Sequence, residues 1–524
     1  MADKFKLTYA TMFNPPEELH TSFDAALAQW KSNLGKEYAM IIDNQDVYAD
    51  DKFEDRTPID TNTVLAVMQK GGAQHAHQAL AAARRAFPGW AATPWQERVR
   101  LVNKAADLIE DRLYIMGAAM SLEVGKNRME ALGDVQETAD LVRYSCYQME
   151  KNNGYLVEMG RDPLVGYSST NYSILRPYGV WLVISPFNFP TALTGGPLGA
   201  ALVSGNTVVI KPATDTPWIV RLLAECFRDA GLPAGVCNFV TGPGRTLGQA
   251  LIDSPEVDGV TFTGSFDVGM KIFRDFANGP YVRPTVLELG GKNPAIVSRH
   301  ADLERAATGI VRSAFGLQGQ KCSACSRVYI EEPVYDELVG KLVELTNKLK
   351  IGDPTDRSVF LGPVVNSSSY QEYKEFCEEL SQAGTILTGG KVLTDGDFGK
   401  GYFCTPTLAA DVPLDHRLWK HEMFLPITTV AKIGSLEEAM QEANDVNYGL
   451  TAGFYGSKDE ARWFFQNIQA GVTYANRPQG ATTGAWPGFQ PFGGWKGSGS
   501  TGKNGGGHYY VPIYMHEQIM TNVE

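Results

Sequence analysis

The sequence predicts an α/β protein built around a parallel sheet. From residue 179 onward, short apolar runs alternate with helix-like stretches, and a second such series follows residue 301. Strands that alternate with helices at this spacing form β–α–β units, whose neighbouring strands run parallel. The first series has strands at 180–185, 207–212, 236–242, 259–264 and 285–291, with helices at 192–203, 217–230, 245–253 and 267–277.

Composition restricts the possible functions. The formal net charge is −12 and no basic cluster occurs, which argues against nucleic acid as a partner. No apolar run approaches the roughly 18 residues of a membrane span. Seven scattered cysteines do not form a disulfide framework, and the first 20 residues lack the apolar core of a secretory signal. We therefore expect a cytoplasmic protein with no membrane association.

The N-terminal third is predicted to be mainly helical. Residues 1 to about 60 are polar and irregular apart from one helix at 22–34. Apolar residues at helical spacing then predict helices at 71–90, 95–125 and 128–151. Residues 164–178 alternate around a Ser-Ser-Thr-Asn turn, which predicts a β-hairpin.

The C-terminal part is predicted to form a second α/β unit that begins near Cys322. Residues 477–507 are rich in glycine, but their four large aromatic residues favour an ordered loop over a site rather than a linker. The alternating terminal segment predicts a strand that pairs with another subunit. The elements expected between them are helices at 301–316, 334–349, 368–383, 436–446 and 458–468, and strands at 327–331, 427–433 and 471–475.

The segment around Cys322 is the first candidate for chemistry. A thiol reacts as the thiolate, which Lys321 or a helix beginning after the turn would favour. The alternatives are a buried apolar cysteine, or a redox pair or half of a zinc site formed with Cys325. No second cysteine pair or histidine cluster accompanies it, so we expect no metal site. From this stretch alone, a nucleophile and a buried apolar cysteine both remain open.

Polar residues follow several of the predicted strands. Asn188, Lys211, Ser265 and Glu288 all lie where ligands of parallel sheets bind, at the carboxyl ends of strands. Each residue also has a simpler explanation. Asn188 could cap a helix, Lys211 could be merely exposed, and Glu288 could form a structural ion pair. The glycines beside Ser265 are by themselves only a weak signal for phosphate binding. Together with Cys322 they supply a thiol, a carboxylate, an amide donor and a dinucleotide cradle. That set suits oxidation of a carbonyl through a covalent thioester.

The chain resembles the aldehyde dehydrogenase superfamily over nearly its whole length. The segments SPFNFP, GNTVVIKPA, FTGS, LELGGK, GQKC, HEMFLP and PFGG occur in the family's order. The resemblance implies a Rossmann-type cofactor domain, an α/β catalytic domain and a small β arm for assembly into a homodimer or larger homo-oligomer. The expected ranges are 1–163 and 179–318 for the cofactor domain, 319–505 for the catalytic domain, and 164–178 and 506–524 for the arm.

The resemblance also implies a role for each catalytic residue. Cys322 would attack the aldehyde carbon, and Glu288 would act as general base for the water that releases the acid. The Asn188 amide and the Cys322 backbone N–H would hold the oxyanion.

NAD is the cofactor that the resemblance implies. Lys211 would bind the adenosine ribose, Ser265 the pyrophosphate, and Glu422 with Phe424 the nicotinamide ribose. Thr214 stands where many relatives have a glutamate that repels a 2′-phosphate, so NADP would be tolerated. Leu425 replaces a glycine and would shift the nicotinamide side of the cleft. The remaining expected cofactor residues are Ser185, Pro186, Gly244 and Gly264.

The run GQKCSACSR is similar to the branch that oxidises L-glutamate γ-semialdehyde. By that resemblance the backbone N–H groups of Gly484 and Ala485, with the Ser323 hydroxyl, would bind the substrate's α-carboxylate. Glu137 would meet the α-ammonium. The aliphatic part would lie between Phe189 and Phe492.

Two departures leave alternatives open. Residues 477–482 are about three residues longer than expected, and Trp486 replaces a smaller residue. The substrate could therefore be another carboxylated or aromatic aldehyde. A CoA-acylating enzyme is disfavoured because Glu288 is present, and a non-catalytic structural protein because Cys322, Glu288 and Asn188 are all kept.

Overall fold

The computed structural model describes residues 6–8, 11, 12, 14–279 and 281–524. Two seven-stranded sheets dominate it. The first sheet has five parallel strands, as predicted, and an antiparallel pair at one edge. Its strands in spatial order are Thr285–Glu288, Gly259–Thr263, Val180–Ile184, Thr207–Lys211, Cys237–Phe239, Met40–Ile42 and Gln45–Val47.

The strand Val180–Ile184 lies between Gly259–Thr263 and Thr207–Lys211. Chain order therefore reverses at this strand, so the crossover helices leave it on opposite faces and open a crevice at its carboxyl end. Ser185 and Gly264 follow directly on the two strands that border the crevice.

Helices pack around the first sheet much as predicted. The stretch 95–125 is two helices rather than one, because the backbone leaves the helical region at Arg112 (φ −95°, ψ 12°). The first helix begins earlier than expected, at Glu17. The helices are Glu17–Lys31, Ala73–Ala92, Trp95–Asp111, Leu113–Val124, Arg128–Lys151, Ala192–Ser204, Pro217–Asp229, Gln249–Ile252 and Phe266–Ala277.

The prediction of an irregular N-terminal region is wrong. Besides the two edge strands of the first sheet, this region forms a small sheet of Lys36–Tyr38, Val64–Gln69 and Lys52–Arg56. These strands are short, and Lys52–Arg56 is mostly exposed, so no apolar alternation marks it in the sequence.

The second sheet is parallel apart from one edge strand. Five helices accompany it: Leu303–Phe315, Glu332–Asn347, Ser367–Ala383, Leu436–Asn444 and Lys458–Asn467. Its strands in spatial order are Thr385–Thr388, Thr407–Ala410, Ile427–Ile433, Cys325–Glu331, Asn293–Val297, Thr451–Tyr455 and Val472–Ala475.

The strand Asn293–Val297 is central in the second sheet, between Cys325–Glu331 and Thr451–Tyr455. The change of sheet therefore lies between residues 288 and 293, upstream of the boundary predicted at 318/319. Two glycines, Gly290 and Gly291, make this short connection, which brings the end of one sheet against the other.

The arm is a three-stranded antiparallel sheet of Met515–Val523, Ser169–Pro177 and Leu156–Glu158. The hairpin turn predicted within 164–178 is wrong. Ser169–Pro177 is one continuous strand because Met515–Val523 pairs with it over nine residues. The terminal strand thus pairs within its own chain.

The glycine-rich stretch 477–507 is ordered, as expected. Trp486 and Gln490 exchange backbone hydrogen bonds of 3.0 and 2.9 Å, as do Phe492 and Gly505 at 3.0 and 2.7 Å. A further two-stranded sheet joins Tyr448–Gly449 to Trp495–Lys496. Across the described part of the chain, no helix combines the length and apolarity that a membrane crossing needs.

Candidate active site

Two cavities meet at Cys322. The larger, about 1040 Å³, follows the crevice at the carboxyl ends of the first sheet. The smaller, about 100 Å³, lies between the helix Arg128–Lys151, the helix Ala192–Ser204 and the loop 483–492. Cys322, Thr263, Leu193 and Leu289 line both cavities. A thiol at this position reaches ligands in either space.

The nucleophile loop, residues 319–325, has a shape fixed by close backbone approaches. A Cβ on Gly319 (φ +68°) would lie 2.1 Å from the Leu425 carbonyl oxygen, and one on Gly291 would lie 2.3 Å from that of Cys322. The Asn293 amide donates to the carbonyls of Cys322 (2.6 Å) and Ala324 (2.9 Å). Its oxygen accepts from the Thr451 N–H at 3.0 Å. Asn293 was not predicted, although it directly follows the LELGGK segment.

The pKa of the Cys322 thiol is raised by burial and by the nearby carboxylates Glu422 and Glu288. Backbone N–H groups of Ser323 and Cys322 oppose this shift. Two expectations about activation are wrong. The Lys321 ammonium pairs with the buried Glu130 carboxylate, and the chain after Cys322 enters a strand rather than a helix. A positive charge in the larger cavity would favour the thiolate.

Cys325 lies apart from this chemistry. Its side chain is 1% exposed and packs in an apolar cluster with Ala295 and Val328. The described residues contain no cluster of three or more potential metal ligands. The second cysteine of the CxxC segment is a packed core residue.

Glu288 ends the strand Thr285–Glu288 beside Thr263. Its Oε2 atom is buried and has no hydrogen-bond partner among the described residues. Burial raises the pKa of this carboxyl to about 8. A carboxylate that titrates near neutral pH suits a general base.

Asn188 is 3% exposed and lies at the crevice end of Val180–Ile184. Its Nδ2 donates to the Gln320 carbonyl at 2.9 Å, in the nucleophile loop. An amide nitrogen carries two hydrogens, so one donor is left for the larger cavity, which Asn188 and Cys322 share.

The nine expected cofactor residues all line the larger cavity: Ser185, Pro186, Lys211, Thr214, Gly244, Gly264, Ser265, Glu422 and Phe424. The Ser185 hydroxyl is buried and has no protein partner in the described chain. Ser265 precedes the helix Phe266–Ala277, yet its hydroxyl makes no capping bond. Lys211 uses one of its three donors, on the Pro212 carbonyl at 2.9 Å. These free polar groups fit a ligand with hydroxyls and phosphates.

The Glu422 carboxylate packs closely against both glycines of the connection between the sheets. Its Oε1 accepts from the Gly291 N–H at 2.8 Å, and a Cβ on Gly290 would lie 2.0 Å from Oε2. Burial raises the pKa of Glu422 to about 7. Leu425 does not line the cleft itself: its side chain is 3% exposed and packs into the core of the second sheet, outside both cavities.

The six expected substrate residues all line the smaller cavity: Glu137, Phe189, Ser323, Gly484, Ala485 and Phe492. The Lys126 ammonium lies 3.6 Å from the centroid of the Phe189 ring, within a buried ion pair with Asp134 of 2.8 Å. The Phe189 ring therefore packs on the ammonium group of a buried ion pair. Trp486 and Tyr510 also line this cavity, and only Trp486 drew notice in the sequence.

The longer segment 477–482 does not line the smaller cavity. The Arg477 carbonyl accepts from the Tyr455 hydroxyl at 2.7 Å, and the Ala481 N–H donates to Gly309 at 3.0 Å. The Thr482 hydroxyl donates to the Ser323 carbonyl at 2.6 Å. The extra residues thus tie the loop 483–492 to the nucleophile loop.

Trp486 forms part of the wall of the smaller cavity. Its indole N–H donates to the Asp140 carboxylate at 2.9 Å, and the side chain is 4% exposed. The indole position is therefore set from the helix Arg128–Lys151.

The family profile described as the aldehyde dehydrogenase family matches residues 47–519. This protein belongs to the aldehyde dehydrogenase family, as the motifs predicted. Among its relatives is a protein of Geobacillus sp. (strain WCH70) named 1-pyrroline-5-carboxylate dehydrogenase, which is 38% identical over 509 residues and 95% of each chain.

Solved structures give the same fold. The Thermus 1-pyrroline-5-carboxylate dehydrogenase with bound NAD has a TM-score of 0.93 and 32% identity, with 100% of both chains covered. An E. coli enzyme described as NADP dependent has a TM-score of 0.86 and 30% identity, covering 94% of this chain and 99% of that one.

Proposed function

We propose that this protein oxidises L-glutamate γ-semialdehyde, the open form of 1-pyrroline-5-carboxylate, to glutamate with NAD. One observation carries the proposal: besides Glu288, the cavity beside Cys322 contains a second carboxylate, Glu137, and a set of uncharged donors for a carboxylate. Glu137 is suited to an α-ammonium, and Ser323 with the Gly484–Ala485 backbone to an α-carboxylate. The names of the Geobacillus and Thermus relatives support this substrate.

The reaction follows from the residues around the sulfur. Cys322 Sγ forms a bond to the aldehyde carbon, and the carbonyl oxygen becomes an oxyanion held by the Asn188 amide and the Cys322 N–H. The chemistry that NAD supplies when bound is acceptance of the hydride that leaves this carbon, so that the C–O double bond re-forms and a thioester to Cys322 remains. Glu288 then takes a proton from water, the water oxygen bonds to the thioester carbon, and the Cys322 sulfur leaves.

Specificity is assigned to the head group of the substrate. An aldehyde without the amino acid head leaves the protein groups that would bind this head without partners, and each such buried group costs about 1–3 kcal/mol, so the site discriminates against it. Phe189 and Phe492 are apolar, so they contribute similar binding energy for any substrate with an aliphatic chain and do not discriminate between head groups.

We predict that kcat/KM for glutamate γ-semialdehyde exceeds that for succinic, glutaric, aliphatic and aromatic aldehydes by about 10²-fold or more, which is about 2.7 kcal/mol. The measurement is initial NADH formation across this panel. Ser323→Ala is the matched variant: it should lower kcat/KM for the amino acid aldehyde and leave an uncharged aldehyde of equal length unchanged. A higher kcat/KM for an aldehyde without the amino acid head would overturn this substrate assignment. The carboxylated or aromatic aldehyde with the highest kcat/KM would then be the better candidate.

We further propose that NAD is the preferred cofactor and that NADP is accepted, since Thr214 is exposed at the larger cavity and carries no charge. Thr214→Glu places a carboxylate near the expected ribose, so we predict that kcat/KM for NADP falls at least about 10-fold relative to NAD. Thr214→Gln is the uncharged control, and it should keep the wild-type ratio. An equal ratio in wild type and Thr214→Glu would remove Thr214 from cofactor discrimination.

The arm suggests how copies assemble. Exposed apolar side chains occur on its strands, including Val157 (55%) and Ile519 (57%). Both outer strands of this sheet have an unpaired edge in the described chain. We propose a homodimer or larger homo-oligomer formed through the arm. All seven cysteines are free thiols, which supports a reducing, cytoplasmic setting.

A further inference from the structure

Four buried side chains form a hydrogen-bonded chain behind Glu288. The Trp181 indole N–H donates to the Thr261 hydroxyl at 2.9 Å. The Thr261 oxygen lies 3.1 Å from the Tyr514 hydroxyl, which lies 2.8 Å from the Tyr510 hydroxyl. Each of these residues is 5% exposed or less. The proposed mechanism does not use any of them.

The direction of this chain follows from its first member. An indole nitrogen only donates, so the Thr261 oxygen accepts there and its single hydrogen has one remaining partner, Tyr514. Tyr514 then donates to Tyr510. The opposite direction would leave the Thr261 hydrogen buried without an acceptor, which is unfavourable.

The Tyr510 hydrogen is consequently the free end of the chain. Within the described residues the Tyr510 hydroxyl has no partner besides Tyr514. Tyr510 lines the smaller cavity together with Glu288 and Cys322. The buried Glu288 Oε2 also has no described partner. The Tyr510 hydroxyl, an oriented donor, and the Glu288 carboxylate, an acceptor with an unused oxygen, therefore line the same cavity beside the Cys322 sulfur.

The two groups are electrostatically coupled. Burial raises the pKa of Tyr510, and both Tyr514 and Glu288 add to the increase. Tyr510 therefore stays a neutral hydroxyl at any pH at which the enzyme works, so it can donate but cannot replace Glu288 as the base.

We propose that Tyr510 is a further residue of the hydrolytic step, whose hydroxyl, oriented through Tyr514 and Thr261, holds the attacking water against Glu288. The water donates one proton to Glu288 and accepts from Tyr510 with its oxygen. When Glu288 removes the proton, the water oxygen bonds to the thioester carbon and the C–S bond to Cys322 breaks. Tyr510 keeps its own proton throughout. The inference rests on the proposed thioester mechanism.

The test is rapid mixing of Tyr510→Phe with NAD and an aldehyde, which separates the first NADH burst from steady-state turnover. We expect an unchanged burst and a steady-state rate lowered about 10-fold, the scale of one lost hydrogen bond. Tyr509→Phe removes the same atom from the neighbouring side chain, which is 69% exposed, and should behave as wild type.

Tyr514→Phe breaks the chain but leaves Tyr510, so it should slow the same step by a smaller factor. This variant also decides the question if Tyr510→Phe does not fold. Normal turnover in folded Tyr510→Phe, or a burst that falls in parallel with turnover, would overturn the role of Tyr510. Absence of any burst in Glu288→Gln, in which thioester hydrolysis is slowed, would instead refute the thioester mechanism itself.

Discussion

Replacing Cys322 with alanine is expected to abolish aldehyde oxidation and to leave the binding of NAD intact. Cys322 lies where the two cavities meet, so its sulfur can hold the substrate carbon beside the cavity proposed for the cofactor. Without it no covalent intermediate forms, and we expect a loss in kcat of at least about 10⁴-fold, as for other enzymes deprived of their nucleophile. NADH formation measures the first effect and titration with NAD the second.

The matched control for this prediction is Cys325→Ala. That thiol is buried in the core of the second sheet, where its Sγ lies 3.6 Å from the Arg327 carbonyl. We expect Cys325→Ala to lose a little stability and to keep its turnover. Substantial oxidation by Cys322→Ala would remove Cys322 as the nucleophile and with it the proposed reaction.

Replacing Glu288 with glutamine is expected to give one rapid turnover followed by slow hydrolysis. Oxidation needs Cys322 and the oxyanion donors, whereas release of the acid needs a base. We predict a normal NADH burst and a steady-state rate lowered by about 10²- to 10⁴-fold. Stopped-flow absorbance records both phases in one trace.

The pH dependence of this step has a defined sign. A base works in its deprotonated form, and burial raises the pKa of Glu288 to about 8. Hydrolysis in the wild type should therefore accelerate as pH rises through this region, and Glu288→Gln should lose that limb. Equal steady-state rates in the two proteins would assign the base to another group.

Several of the candidate site residues were predictable because they lie at or just beyond the carboxyl ends of strands that the apolar pattern reveals. Asn188, Lys211 and Ser265 occupy the carboxyl ends of adjacent parallel strands, and topology alone brings such ends together. The parallel sheet was predictable from the alternation of apolar runs with helix-like stretches, and the ordered loop over the site from its large aromatic residues.

Other features depend on contacts between distant segments. Lys321 was expected to favour the thiolate of Cys322, but its ammonium group forms an ion pair with Glu130, on the helix Arg128–Lys151. The strand Asn293–Val297 was not predicted. Its short apolar run follows the strand Thr285–Glu288 and the glycines Gly290 and Gly291 so closely that the sequence does not mark it as a separate strand. The roles of Asn293 and Thr482 in shaping the nucleophile loop arise from hydrogen bonds across more than 25 residues, which periodicity does not encode.

The most direct test of the account is to acid-quench Glu288→Gln during turnover with NAD and glutamate γ-semialdehyde, digest it, and locate any acyl group by mass spectrometry. The account predicts a glutamyl adduct, equal in mass to glutamate less water, on the peptide that contains Cys322 and on its sulfur. The adduct should be absent when NAD is omitted. No adduct, or one carried by Cys325 or another residue, would contradict a thioester at Cys322.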